Sequence, residues 1–208
     1  MIAQDEENEL NNEFKQILPK HSYSIDLTLP TSHKNKTFKG VMQGLCRLNV
    51  NYNYYFVKKF ATGLGYTYTF FQINRFKTPK NVVGGIHFHS YYTEIGYKNF
   101  FNERFGLELN LKLGQSSILM YSDSLSNVQT KKYNNKNANY FEPSLALVLT
   151  SGSNSSLKWI FGYNIQYADF KLKDIGILSK SNYPENDQKR IQFLYFGFSF
   201  CHYFKERN

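Results

Sequence analysis

The chain of 208 residues has no stretch approaching the roughly 18 consecutive apolar residues that a membrane-spanning helix needs. That absence excludes helical spans. It does not exclude a spanning barrel, whose strands alternate and average to a polar hydropathy; the mean hydropathy here is −0.51. Cysteine is almost missing. Cys46 and Cys201 are the only two, too few for a disulfide framework. No Cys/His spacing suggests a zinc site, and no cofactor is expected. A basic-plus-apolar signal segment is also lacking. Met1–Gln4 reads as the tail of a signal peptide whose beginning is missing. Acids are fewer than bases, 16 against 25, leaving a formal net charge of +9.

Aromatic residues are abundant: 17 Tyr and 19 Phe, 18% of the chain with Trp included. A soluble domain would bury these rings, whereas a membrane barrel turns them outward into lipid and interfacial girdles. Their spacing chooses between the two. From Leu194 to Phe204 every second residue is apolar or aromatic except His202: Leu194, Phe196, Phe198, Phe200 and Phe204. A period of two means a strand with one apolar face.

The same period recurs seven times upstream. His21–Leu29 sets Tyr23, Ile25, Leu27 and Leu29 against Ser24, Asp26 and Thr28. Gly40–Phe56 sets Met42, Cys46, Leu48 and Val50 against Gln43, Arg47, Asn49 and Asn51. Ala61–Asn74 and Gly85–Tyr97 follow, the latter less cleanly. Phe105, Leu107, Leu109, Leu111 and Leu113 alternate with Gly106, Glu108, Asn110, Lys112 and Gly114. Tyr140–Thr150 and Leu157–Ala168 complete the set, with Glu142 facing away from Leu145 and Lys158 away from Trp159 and Phe161. In this phase Cys46 points outward and Cys201 inward, so they cannot bridge. Eight segments of about ten residues match the length that crosses a bilayer at a tilt. Connections alternate: short at 57–60, 98–104 and 151–156, longer at 30–39, 75–84, 115–139 and 169–189. Residues 5–18 carry Leu10, Phe14, Ile17 and Leu18 at near-helical spacing; a short amphipathic helix and an unstructured leader both stay open.

The polar face of these strands carries Asp26, Arg47, Glu94, Glu108, Lys112, Glu142 and Lys158. Eight strands enclose an interior just wide enough for side chains. Lone buried charges are too costly there, so four acids and three bases imply a plugged lumen held by ion pairs. The chain therefore resembles the small eight-stranded outer-membrane barrels of OmpA/OmpX-type architecture over residues 21–204. The expected class is all-β, an antiparallel up-and-down transmembrane barrel, with a periplasmic leader at 1–20 and a tail at 205–208. The lipid-facing set would be Leu107, Leu109, Leu111, Trp159, Phe161, Phe196 and Phe198. The Asn, Lys and Tyr bias with an Ala-Gln start also resembles secreted proteins of Bacteroidota.

The resemblance implies a cell outer-membrane protein in contact with lipid and lipopolysaccharide, with other outer-membrane proteins as further partners. The long loops are basic, through Lys34, Lys36 and Lys39, Arg75, Lys77 and Lys80, Lys131, Lys132 and Lys136, and Lys171, Lys173, Lys180 and Lys189. Contact with lipopolysaccharide phosphates or anionic surface polymer competes with a merely solvated surface. Nucleic acid fits poorly, since the aromatics follow strand period instead of forming a basic platform. Two other functions remain in view. Some eight-stranded barrels are lipid A palmitoyltransferases or 3-O-deacylases, and His33, His87, His89, Ser90 and Ser122-Asp123-Ser124 are the candidate groups here. Neither family's local sequence is matched, and His89 and Ser90 differ in phase. A soluble lipocalin-like barrel would turn the apolar stripe inward; the direction of Trp159, Leu109 and Phe198 discriminates.

Overall fold

A computed structural model describes residues 20–78, 82–102, 104–125, 133–151, 154–177 and 189–204. The helical spacing at Leu10–Leu18, the expected signal-peptide remnant and the expected tail lie outside them. Eight strands run in chain order: β1 (His21–Lys34), β2 (Met42–Val57), β3 (Phe60–Ile73), β4 (Gly84–Phe100), β5 (Phe105–Ser122), β6 (Tyr133–Thr150), β7 (Ser155–Gln166) and β8 (Ile191–Phe204). Each pairs antiparallel with the next, and β8 closes on β1. Ile25 sits opposite Val50 on one side and Phe200 on the other. Closure leaves no open edge, so the ladder satisfies the backbone within hydrocarbon.

Burial alternates along most of each strand, and from the turn end up to Leu113 and its neighbours the apolar residues face outward. Leu27, Leu64 and Phe198 are 60%, 64% and 61% exposed. Leu109, Leu111, Trp159, Phe161 and Phe196 are exposed on the same wall, and Leu107 is half-buried there. A soluble protein does not expose so continuous an apolar surface. A soluble ligand-binding barrel is the inverse of this arrangement, and that alternative is set aside. The β2–β3, β4–β5 and β6–β7 connections, the short ones, lie at the end that holds His21 and Phe204. The longer connections lie at the other end, which is the outer one in barrels of this type.

Four details differ from the sequence reading. First, most of the expected 115–139 loop is strand, because β5 reaches Ser122 and β6 begins at Tyr133. Above Leu113 the period of two continues with reversed polarity. Ile118 and Met120 turn inward, while Gln115, Ser117, Asn137 and Asn139 turn outward. Second, much of the 30–39 connection is ordered: β1 continues to Lys34 and a short helix, α1 (Lys36–Val41), follows. The Asn35 side chain accepts from the Phe38 N–H at 3.0 Å and caps that helix. Third, β4 runs on to Phe100 and carries Lys98 inside, in phase with Glu94. Fourth, Met42 is buried and Gln43 exposed, the reverse of the expected phase. Gly44 pairs with Phe71 and Cys46 with Phe70, leaving Leu45 as the extra residue of a β-bulge. The bulge exchanges the two faces. A Cβ on Gly44 would stand 1.9 Å from the Pro30 carbonyl oxygen, so this crossing requires glycine. Cys46 faces outward and Cys201 is buried inside, both free.

Depth dependence tests the lipid-facing wall. Leu27→Arg, flanked by Leu48 and Phe198 in the ladder, is expected to destabilise the barrel by about 2–4 kcal/mol in lipid. Thr31→Arg, two outward positions nearer the outer end, is expected to cost about 0–1 kcal/mol. Equilibrium unfolding in lipid vesicles measures both.

Candidate functional site: a charged lumen beneath an apolar mouth

At mid-height the interior is built around Glu142. Arg47 Nη2 lies 2.5 Å from Glu142 Oε1, and Lys112 Nζ lies 3.4 Å from the same oxygen. Tyr195 donates its hydroxyl to Oε1 at 2.7 Å, and Asn164 donates to Oε2 at 2.6 Å. The Arg47 guanidinium also stacks on the Tyr195 ring, 3.9 Å from its centroid. Lys112 reaches on to Glu94 at 4.0 Å, and Asn51 donates to Glu94 at 2.7 Å. Asp26 is held by Asn49 at 2.6 Å, and Asn49 in turn accepts from Tyr92 and Thr67.

Nearer the turns, Lys158 lies 2.9 Å from Glu108 and Lys98 lies 3.8 Å from it. Lys98 also contacts the Tyr203 hydroxyl, which bonds Ser156 at 2.7 Å. All seven charged residues read onto the polar face are buried. Lys98 is the eighth, and it makes four bases for four acids. Its signal in the sequence was its even-numbered phase with Glu94 and Gly96. Glycines leave room for the rings that cross the interior. A Cβ on Gly65 would meet Tyr92 at 2.3 Å, and one on Gly162 would meet Tyr195 at 2.2 Å.

Above this layer the interior becomes apolar, a change the alternation did not announce. Phe71, Phe88, Phe193, Ile86, Ile118 and Met120 point inward from the strands. Residues from outside the strands complete the cluster, two of them aromatic. Phe38 comes from α1 and Phe170 from the β7–β8 connection; both are fully buried, with ring centroids 5.3 Å apart. Phe38 also meets Phe71 edge-on at 4.9 Å.

The β7–β8 connection is fastened by polar contacts. Lys136 Nζ lies 2.7 Å from Asp174 and 3.1 Å from Asp169. Ser122 donates to the Ile175 carbonyl at 2.6 Å and Ser124 to the Gly176 carbonyl at 2.9 Å. Gly176 sits at φ 74°, after a 3₁₀ turn at Leu172–Ile175, and a Cβ there would meet Leu125 N at 2.5 Å. Burial alone would raise the Asp169 carboxyl. The hydrogen bond and charge of Lys136, with Lys171 beyond, outweigh it and hold its pKa below the ordinary value. This contribution to docking is present above the carboxyl's unfolded pKa and fades as the pH falls through the lowered one.

The remaining candidates are dispersed. Lys34 ends β1, Lys36 opens α1, and Lys171 and Lys173 belong to the fastened connection. Lys131 and Lys132, with Lys80 and Lys180, lie outside the described residues. His87 and His89 face outward and bond Tyr68 and Tyr66, each at 2.7 Å. Ser90 faces inward and bonds Ser116 at 2.6 Å. Ser122 is engaged with Ile175, and His33 packs edge-on against Tyr163. These partners keep the histidines from the serines that a nucleophilic pair would need.

No protein-family model matches the chain, and no curated protein matches it in sequence. Solved structures do match. Neisserial surface protein A (NspA) aligns with a TM-score of 0.59 at 9% identity, over 89% of this chain and 97% of that one. The outer membrane protein OprG from Pseudomonas aeruginosa gives 0.56 at 10% identity, over 89% and 97%. Ail of Yersinia pestis, in complex with the heparin analogue sucrose octasulfate, gives 0.50 at 12% identity, over 90% and 100%. At such identities the likeness shows the fold: this chain is a small eight-stranded β-barrel of the outer-membrane type. With its apolar exterior turned to lipid, it is a protein of the cell outer membrane.

Glu142→Leu is expected to destabilise the folded barrel by about 3–5 kcal/mol, because Arg47 loses its buried partner. Adding Arg47→Met is expected to cost less than the sum of the single changes. Denaturant unfolding of the three variants in lipid checks this. For the outer connection, Lys136→Gln is expected to speed tryptic cleavage at Lys171 and Lys173 severalfold at neutral pH, read by mass spectrometry.

Proposed function

We propose that the chain is a closed, non-conducting outer-membrane barrel that serves as an anchor and surface-interaction protein, alone or as a subunit of a larger outer-membrane assembly. The observation that carries this reading is the set of buried charges and rings that point into the barrel. The Glu142 cluster and the crossing rings of Tyr92 and Tyr195 occupy its middle, and Phe38 and Phe170 occupy its outer third. A barrel of eight strands has little space beyond its side chains. A conducting path would have to break buried ion pairs and expel an apolar cluster.

The outer rim carries Lys34, Lys36, Lys39, Arg75, Lys77, Lys171 and Lys173. That charge suits anionic lipopolysaccharide or surface polymer as partner, and Ail, of the same fold, is described with a heparin analogue. Lipid A modification is the less favoured reading, because the outward histidines bond tyrosines while Ser90 and Ser122 are engaged inside.

The protein folded into planar bilayers is expected to show no discrete conductance steps at neutral pH. Reproducible ohmic openings from the heat-modifiable, folded species would overturn the closed-lumen reading.

A further inference from the structure

The exterior is not uniform around the barrel at its outer margin. On β8 and β1 the outward residues pass through the same sequence of chemistries. Phe196 and Leu194 lead up to Gln192, with Arg190 just ahead of β8. Leu29 leads to Thr31 and then His33 and Lys34 on β1. On the adjoining β7, Phe161 leads to Tyr163 and Ile165, with Tyr167 just beyond the strand. Each column is apolar below. Thr31, Gln192 and the Tyr163 hydroxyl add an uncharged polar step, and cations stand at the top of the β8 and β1 columns.

Two local features gather the cations. The β1–β8 register shifts between Ser32 and Lys34, and this bulge leaves His33 and Lys34 both exposed. Lys34 sits opposite Gln192, and the exposed Arg190 lies two residues before Gln192, just ahead of β8. The Arg190 guanidinium is held over the Tyr167 ring, 5.0 Å from its centroid. A guanidinium held over a ring still has N–H donors to offer an anion at its edge. Beneath, Tyr163 donates to Gln192 and meets the edge of His33, which makes a polar floor. The nearby acid Asp169 is turned to Lys136 and Lys171. On the opposite wall, the outward faces of β4, β5 and β6 carry no lysine or arginine among the described residues; His89, Ser117, Asn137 and Asn139 stand there instead. Among the described residues at the outer strand ends the cations stand on one wall, while Arg75 and Lys77 belong to the β3–β4 connection.

We propose that this β7–β8–β1 wall binds the phosphate headgroup of an outer-leaflet glycolipid. Lys34 and Arg190 clasp the phosphate, and the acyl chains lie along Leu29, Leu194, Phe196 and Phe161. The site rests on the reading of the exterior as a membrane surface with this end outward. Charge-assisted pairs from a guanidinium and an ammonium suit a phosphate. The apolar columns directly below suit hydrocarbon attached to it, which a free anion lacks.

The test is native mass spectrometry of the full chain, folded in detergent, with diphosphoryl lipid A and its dephosphorylated form as probes. Wild type is expected to retain the diphosphoryl form preferentially. Lys34→Gln with Arg190→Gln is expected to lower that retention about tenfold or more, and Arg190→Lys is expected to restore part of it. Lys58→Gln with Lys59→Gln, exposed on the β2–β3 turn at the other end of the barrel, is expected to leave retention unchanged. Equal losses in both double variants would replace a site with diffuse attraction and overturn the proposal. Equal retention of the two lipid forms would overturn it as well, and so would complete displacement by free pyrophosphate. Heat-modifiable gel mobility and absent conductance, measured on the same samples, report the barrel reading separately.

Discussion

Hydrocarbon offers no water to an unpaired strand edge, so the pairing of β1 with β8 is the constraint on which the other features depend. Ile25, Leu27 and Leu29 lie against Phe200, Phe198 and Phe196 along that seam. Once the sheet is closed, each strand has one face toward lipid and one toward a narrow interior. The apolar stripe cannot be a core, because it is on the outside. The structure must then be held from within by groups that a soluble protein would leave in water.

This inversion explains the arrangement around Glu142. Two cations, a tyrosine hydroxyl and an asparagine amide converge on one carboxylate. Removing any one leaves a desolvated group without its full set of partners. The four lysine and arginine residues of the lumen come from β2, β4, β5 and β7, and the acids from β1, β4, β5 and β6. The network therefore ties together strands that are not neighbours in the ladder, which backbone pairing alone does not do.

The outer third follows a different logic. There the strands rise beyond the apolar belt, the outward face becomes polar and the inward face apolar. The interior at this level packs like an ordinary protein core, with Phe38 and Phe170 supplied by the connections. Lys136, Ser122 and Ser124 fasten the second connection at its polar edge. The barrel thus has two levels: one with an apolar exterior and buried charges inside, the other with a polar exterior and buried rings inside. The reversal at Leu113 is what made the 115–139 segment read as a loop, since its apolar residues follow the opposite phase.

By itself the sequence determined the number of strands, their direction and the two faces of each. A period of two is a property of the extended chain, and the alternation of Leu107, Leu109 and Leu111 with Glu108, Asn110 and Lys112 needs no partner to be visible. It also put Arg47 and Glu142 on the polar face of their own strands. Which charge met which was a matter of register between strands far apart in the chain, and only tertiary structure decided it. The same holds for the bulge at Leu45, which turned Met42 inward. It holds for the extension of β4 that buried Lys98, and for the docking of Phe38 and Phe170 in the mouth. Local periodicity carries no information about where a ladder slips, how far a strand continues past the membrane, or which loop ring fills a space that distant strands create.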